Sequence, residues 1–235
     1  MKPGVRWRRA LWRCVIFLAV IGVAVAVRRM VTVVPVVLHG YHPAAVPANP
    51  RLAQFAALDD VFKRHPMLTL VHIVPGILFM ILGPLQFSAG IRARHLQWHR
   101  WSGRVFVACG LVIGISALAM SFGMPAIGGV NQAAATTLFG AYFLVALCRA
   151  FWLIRRREIA LHREWMIRAF AIGLAVATIR PIVGVFFATS PLTGLTPREF
   201  FGIAFWIGFV VHLIVAEAWI RVTAAGRMVA VGVGE

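Results

Sequence analysis

Residues 67–124 read MLTLVHIVPGILFMILGPLQFSAGIRARHLQWHRWSGRVFVACGLVIGISALAMSFGM. Two apolar runs, 67–89 and 103–124, flank a connection that holds three arginines and two histidines. Each run has the roughly 20 residues that a helix needs to cross the hydrocarbon core of a bilayer. A connection rich in arginine is typical of a cytoplasmic loop. This stretch therefore predicts two transmembrane helices that are joined on the cytoplasmic side.

The rest of the chain continues this pattern. Of its 235 residues, 61% are hydrophobic and 13% are charged, whereas soluble domains carry about 25% charged residues. The apolar runs and their connections leave no space for a separate soluble domain. The sequence therefore predicts an all-α polytopic bundle with six transmembrane helices, which forms a single membrane domain over residues 1–235. The six runs lie at about 11–27, 67–89, 103–124, 132–153, 166–188 and 200–222.

The lysines and arginines divide unevenly between the two sides of this bundle. Seventeen of the 24 lie at the two chain ends and at the connections after runs two and four, and six lie in the other loops. Because loops rich in Lys and Arg stay in the cytoplasm, both termini are predicted to be cytoplasmic, in a bacterial inner membrane. The net charge of +17 indicates contact with the bilayer and its anionic lipid headgroups rather than with nucleic acid. Protein partners are not indicated.

The first external loop, 28–66, is the only long one. Its prolines predict irregular chain up to Pro50. Between 51 and 64, apolar residues recur at helical spacing and predict a short amphipathic helix on the outer face. The prolines are Pro35, Pro43, Pro47 and Pro50, and the apolar residues are Leu52, Phe55, Leu58 and Phe62.

The N-terminal segment allows a second interpretation. Residues 1–26 resemble a secretory signal, with a basic start, an apolar run and Ala24-Val25-Ala26 as a cleavage site. Arg28 and Arg29 would follow the cut directly and hinder export. Cleavage and retention as the first transmembrane helix are both left open.

Runs three and five begin alike. One starts with HRWSGRVF at 99–106, and the other starts with HREWMIRAF at 162–170. With one residue inserted, each reads His-Arg, Trp, Arg and then Phe. Since each follows a run that descends from the outside, runs two–three and four–five are predicted to be parallel repeats about an axis along the membrane normal. The alternative is that membrane interfaces favour Trp and Arg.

Ionisable side chains inside a bilayer are costly, and they mark functional sites. His72 and Arg180 lie at similar estimated depths below the outer boundary, and a proline close to each of them frees a backbone carbonyl. Irregular backbone at this depth needs a cover of protein or water. Both side chains are therefore predicted to line a ligand-binding polar cavity that opens to the external face, with His212 in run six as a third candidate. The alternative is that Arg180 snorkels outward and His72 bonds a neighbouring backbone group.

Three more histidines lie at the predicted cytoplasmic boundary: His95, His99 and His162. Imidazole is a good ligand for haem iron, zinc and copper, so these three are candidate metal or haem ligands. No His-Glu-x-x-His string and no carboxylate cluster accompanies them, which argues against a hydrolytic zinc site. The alternative is that they are solvated side chains beside arginines that face the lipid.

Two stretches carry a family resemblance. Residues 72–104 contain the strings GPLQF and HRWSGR, and residues 162–180 contain HREWMIR and, further on, TIR. They are similar to a bacterial family of predicted membrane proteins of unknown function, over about 65–185. This resemblance implies a membrane location and no particular chemistry.

A fainter likeness is to the di-haem transmembrane cytochromes b, through His65-Pro66-Met67 and the string His99-x-Trp-x-Gly103. That group places histidines on four consecutive helices, whereas run four of this chain has none. Ligand roles are therefore not transferred from it.

Two functions fit these observations, and neither rests on a complete catalytic motif. The first is a transport or accessory membrane protein whose polar cavity binds a ligand through His72, Arg180 and His212. The alternative is a transmembrane redox protein that binds b-type haem through His99 and His162 near the cytoplasm, and through His72 with His212 further out. The sequence leaves the cofactor, the substrate, the oligomeric state and enzymatic activity open.

Overall fold

The computed structural model describes residues 3–43, 45 and 47–232, which form helices joined by short connections. Six helices are long and apolar enough to cross a membrane. The predicted all-α bundle with six transmembrane helices is therefore confirmed, while the cytoplasmic location of the termini stays a prediction. The helices are α1 (Pro3–His39), α2 (Pro50–Arg64), α3 (Pro66–Phe87), α4 (Ala89–Arg94), α5 (Leu96–Gly123), α6 (Gly129–Arg155), α7 (Ile159–Thr193) and α8 (Pro197–Gly232); the spanning ones are α1, α3, α5, α6, α7 and α8.

Five of the six spanning helices are longer than the apolar runs that predicted them, whereas α3 ends at Phe87, inside the run at 67–89. Helix α7, for example, begins before the run at 166–188 and continues past it through Pro191 to Thr193. It ends at Gly194, whose φ of 69° is the left-handed conformation that commonly closes a helix. An apolar run indicates only the part of a helix that lies in the hydrocarbon core. The backbone hydrogen bonds of the helix continue beyond that part until a residue such as Gly194 ends them.

Helix α1 corrects the expectation of irregular chain from residue 28 to Pro50. The helix continues through Pro35 to His39 and ends at Gly40, which has a φ of 85°. Asp59 of α2 meets the start of this extension, where its carboxylate bonds Arg28 at 2.8 Å and Arg29 at 2.6 Å. The connection between α1 and α2 is correspondingly short.

The short helix predicted over 51–64 is present as α2. Leu58 packs against the hydrophobic core, and the ring of Phe62 lies 4.1 Å from the guanidinium carbon of Arg29. The side chains of Leu52 and Phe55, which also supported the prediction, lie outside the described part of the structure. On its other side, α2 is tied to the chain that follows α1, since Asp60 accepts hydrogen bonds from Tyr41 and Arg64, both at 2.6 Å.

The helices pass up and down between two ends of the bundle, called here the α2 end and the α4 end after the short helix at each. Helix α3 packs on α5, α6 packs on α7, α1 packs on α3 and α7, and α8 packs on α6 and α7. Trp7 near the start of α1 meets Trp219 near the end of α8, with ring centroids 5.1 Å apart. Both chain ends are therefore at the α4 end, as an even number of spans requires.

Four phenylalanine rings fill the centre of the bundle: Phe79, Phe106, Phe143 and Phe170. The ring centroids of Phe79 and Phe143 are 5.7 Å apart, and those of Phe106 and Phe170 are 6.1 Å apart. Each of these pairs is 64 positions apart in the sequence, and the same offset relates Trp101 to Trp165. Residues next to a two-fold axis contact their own equivalents, so these contacts support parallel repeats, α3–α5 and α6–α7, about an axis along the bundle.

Candidate functional site

A cavity of about 260 Å³ lies at the α2 end, among α1, α3, α5, α6 and α7. Val61 and Phe62 of α2 line it at one side, and Phe79 and Phe143 of the central cluster line it at the other. Its walls are mainly apolar, so a ligand would contact hydrocarbon over most of its surface. The polar side chains that line it are Arg29, His72, Ser121, Gln132, Thr136 and Arg180.

Arg180 is the most unusual of these side chains. Its Nε is buried and has no hydrogen-bond partner among the described residues. The charges that act on it are Arg28 and Arg29 of α1 and Asp59 of α2. Asp59 already pairs with Arg28 and Arg29, so near Arg180 three guanidinium groups are balanced by one carboxylate. The cavity therefore carries excess positive charge next to an unsatisfied donor, which is the electrostatic environment of an anion site.

His72 reaches the same cavity from α3. Its Nδ1 lies 3.0 Å from Oγ of Ser116 on α5, so one ring nitrogen is tied to the neighbouring helix. The structure thus brings together the two side chains, His72 and Arg180, that the sequence placed at one depth. Their role in binding a ligand is a proposal, taken up below.

The structure separates His212 from these two residues. Its Nε2 lies 2.7 Å from Oγ1 of Thr178, at the contact between α8 and α7, and it is not among the residues that line the cavity. Thr178 and Arg180 are two residues apart on α7, which places them roughly 200° apart around a helix of 3.6 residues per turn. They consequently face different sides of α7, and His212 cannot share a ligand with Arg180.

The histidines at the α4 end are anchored in similar ways. His162 Nδ1 bonds the carbonyl of Ala150 at 2.8 Å. With its amide nitrogen turned toward His99, the Gln86 side chain lies 3.0 Å from His99 Nδ1. Each histidine thus opens the second helix of a hairpin and bonds the end of the first one, and the two imidazoles are close enough to interact electrostatically.

His95 does not join this pair, since its side chain is exposed between α4 and α5. Within the described ranges, no group of three or more His, Cys, Asp or Glu side chains is placed to hold a metal ion. The three candidate imidazoles therefore do not form one ligand set.

Several residues around the cavity were missed by the sequence reasoning. Arg29 and Asp59 were assigned to the first loop, because the apolar run ends at 27. Ser116 and Thr136 are uncharged residues within apolar runs; Ser116 was interpreted as part of a small helix-packing face, and neither was a site candidate. The scarcity of acidic residues was a signal that could have identified Asp59. The chain has 7 Asp and Glu, and two of them, Asp59 and Asp60, are adjacent in α2.

The hydrogen bonds around Asp60 also fix its charge. The hydrogen bond from the Tyr41 hydroxyl, with that from Arg64, holds the pKa of the Asp60 carboxyl below its usual range. The carboxylate therefore stays ionised and keeps both links at neutral pH. Since Arg64 is itself in α2, the hydrogen bond from Tyr41 is the link that ties α2 to the chain after α1.

Comparison with known families agrees with this architecture. Residues 69–220 match the family described as Predicted membrane protein (DUF2306). No curated protein and no solved structure matches the chain. The matched region includes both helix hairpins, His72 and Arg180, whereas α1 and α2 lie outside it. The match covers most of the chain, which therefore belongs to this predicted membrane protein family.

Proposed function

We propose that this protein binds a small amphipathic anion in the cavity at the α2 end, as a transport or accessory protein of the bacterial inner membrane. The observation that carries the proposal is Arg180 in the cavity wall, whose buried Nε has no hydrogen-bond partner among the described residues. The low density of Lys and Arg in the loops at the α2 end favours an external orientation for this cavity.

The energetics favour an anion over a neutral ligand. An arginine within the bilayer costs about 2.5–3.5 kcal/mol at the helix centre on insertion scales, and a buried charge without a partner is costly in general. Snorkelling would relieve that cost, but Arg180 lines the cavity instead. An anionic group beside Arg180 would supply charge-assisted hydrogen bonds.

The walls define the rest of the ligand. Most lining side chains are apolar, so an alkyl or similar chain would remove apolar surface from water there. The volume of about 260 Å³ is just below the roughly 300–1,000 Å³ of ordinary small-molecule pockets. The ligand is therefore small, or part of its chain extends out of the cavity.

The test is binding of matched amphiphiles to the purified protein in lipid nanodiscs, followed by calorimetry. We expect decanoate and decyl phosphate to bind and decanol to bind much more weakly, and the two anions distinguish a carboxylate ligand from a phosphate ligand. In Arg180→Gln the affinity for the anions should fall at least about 30-fold, because a buried partner of a charge pair contributes about 2–5 kcal/mol.

Arg28→Gln is the matched control. The Arg28 side chain is 62% exposed, so its loss should change the affinity by only a few-fold, as for exposed charges. Equal binding of decanol and the anions, or equal losses in the two variants, would contradict the proposal.

One observation supports haem binding as a second candidate function. His99 and His162 both lie near the start of the second helix of a hairpin and lie within electrostatic range of each other, as two ligands of one haem would. The second pair of haem ligands that the sequence suggested, His72 with His212, is not available. His72 faces the cavity and His212 bonds Thr178. Expression with added haem should decide: one reducible Soret band that disappears in His162→Ala supports this function, and a colourless wild-type protein contradicts it.

A further inference from the structure

We propose that the cavity binds its anion together with one proton, which His72 accepts, and that its ligand class is a weak carboxylic acid, which can itself bring that proton. This inference rests on the proposed anion site at Arg180 and adds to it the protonation state of the bound complex. It follows from the hydrogen-bond directions around His72 and from the charges that face it.

The direction of the hydrogen bond between His72 and Ser116 can be assigned. A serine hydroxyl has one hydrogen and can also accept. The Ser116 hydroxyl lies 2.6 Å from the carbonyl oxygen of Val112 and 3.0 Å from that of Ile113, both of which only accept. We therefore assign this hydrogen to the α5 carbonyls and infer that Oγ accepts from His72 Nδ1 at 3.0 Å. Nδ1 of His72 thus carries a hydrogen, and Nε2 of the neutral ring keeps a free lone pair.

The charges around His72 are mainly positive. Arg180 acts on it from α7, Arg28 and Arg29 of α1 act on Arg180, and Asp59 of α2 is the only carboxylate among the charges that act on Arg180 in the described structure. The helices α5 and α6 contribute uncharged groups to the site, Ser116 and Thr136. A second buried cation beside Arg180 is unfavourable in the empty cavity, and a carboxylate between the two side chains reverses this.

The proton balance of binding is then simple. A carboxylic acid that enters in its neutral form transfers the hydrogen of its O–H group to His72 Nε2, so that one O–H bond breaks and one N–H bond forms. The carboxylate then accepts hydrogen bonds from the Arg180 guanidinium and from the new Nε2–H. If the ligand enters as a carboxylate, the same bound state forms with one proton taken from water.

Carboxylic acids fit this scheme better than permanently charged head groups. The neutral acid can cross an apolar region without the cost of burying an isolated charge, and it ionises only where Arg180 can pair with it. Protonation of His72 and binding of the anion must favour each other equally, because coupling between two binding events is reciprocal.

The experiment counts protons. Calorimetry of decanoate binding in buffers of different ionisation enthalpy should show uptake of about one proton per bound ligand by the wild-type protein. The affinity should fall about tenfold per pH unit between about pH 6 and pH 8. Decanoate itself does not titrate in this range, since carboxyl groups titrate near about pH 4.

Two variants assign the proton. In His72→Gln, whose amide can still donate to Ser116, decanoate binding should take up no proton and should be independent of pH. His212→Gln removes another histidine within the bundle that does not line the cavity, and it should keep the wild-type proton uptake and pH slope.

A measurement on the wild-type protein alone tests the inference even if His72→Gln fails to fold. Decyl sulfate is always charged, yet its binding should also draw one proton onto His72. If either anion binds without proton uptake, or if the pH slope persists in His72→Gln, the inference is wrong while the anion site stands. If no anion binds the wild-type protein at all, the proposed function itself fails.

Discussion

Gly83→Ala should destabilise the protein by about 3 kcal/mol, at the upper end of the cost of overpacking a core. A Cβ at Gly83 would overlap the Phe170 ring atoms Cε2 and Cζ. That ring cannot swing away, because it stacks on Phe87 at 5.2 Å and packs on Phe79 at 5.9 Å and on Phe106 at 6.1 Å. The helices α3 and α7 would have to separate, and with them the two repeats.

The same helix provides the control. Gly76→Ala adds a Cβ that meets no atom within 4 Å, so stability should change by less than about 1 kcal/mol and in the favourable direction, since Ala is the better helix former. Reversible unfolding in a denaturing detergent, followed by tryptophan fluorescence, compares the two variants. Equal effects of the two alanines would show that the central ring cluster is not tightly packed.

Glu217→Leu should cost about 2 kcal/mol or more, because it leaves the Arg168 guanidinium without its ionic partner in the bundle. The two side chains join α7 to α8 through a bidentate pair, with Nε–Oε1 and Nη2–Oε2 distances of 2.6 Å and 3.0 Å. Arg168 is 16% exposed and Glu217 is 39% exposed. Because Glu217 is partly accessible to solvent, the expected loss of stability lies near the low end of the roughly 2–5 kcal/mol range for buried charge pairs.

The double variant Arg168→Met with Glu217→Leu separates the ion pair from general packing. Replacing both partners by apolar side chains removes the uncompensated charge, so stability should recover most of the loss. A double-mutant cycle of the same unfolding measurements gives the coupling energy between the two residues. Additive losses would mean that the pair contributes nothing beyond its separate contacts.

The repeat offers an explanation for the position of the candidate site. The offset of 64 positions that relates the central phenylalanines also relates His72 to Thr136 and Ser116 to Arg180. The residue that bonds His72 is thus the counterpart of the arginine that faces it. If the two hairpins are repeats, the cavity beside their axis therefore carries different side chains at equivalent positions.

Much of the fold could be predicted from the sequence. Six apolar runs determined the number of spanning helices, because a bilayer excludes unpaired backbone polar groups and admits helices of a set length. The amphipathic spacing in 51–64 predicted α2. The strings at 99–106 and 162–170 predicted a repeat, which the contacts between the central phenylalanines support. The depth of His72 and Arg180 was also correct enough to place them at one level, since depth follows from residue count along a helix.

Only the tertiary structure decided which residues share a site. Hydropathy determines how deep a side chain lies in the bilayer. It does not determine whether that side chain points toward lipid or toward another helix, because both surroundings are about equally apolar. The rotation of α7 sends Arg180 into the cavity and Thr178 toward His212, and that rotation is set by packing around Phe170. The contact of α1 with α2 was likewise decided by the tertiary structure, since Asp59 of α2 bonds Arg28 and Arg29 of α1. The sequence alone had assigned these charges to a loop.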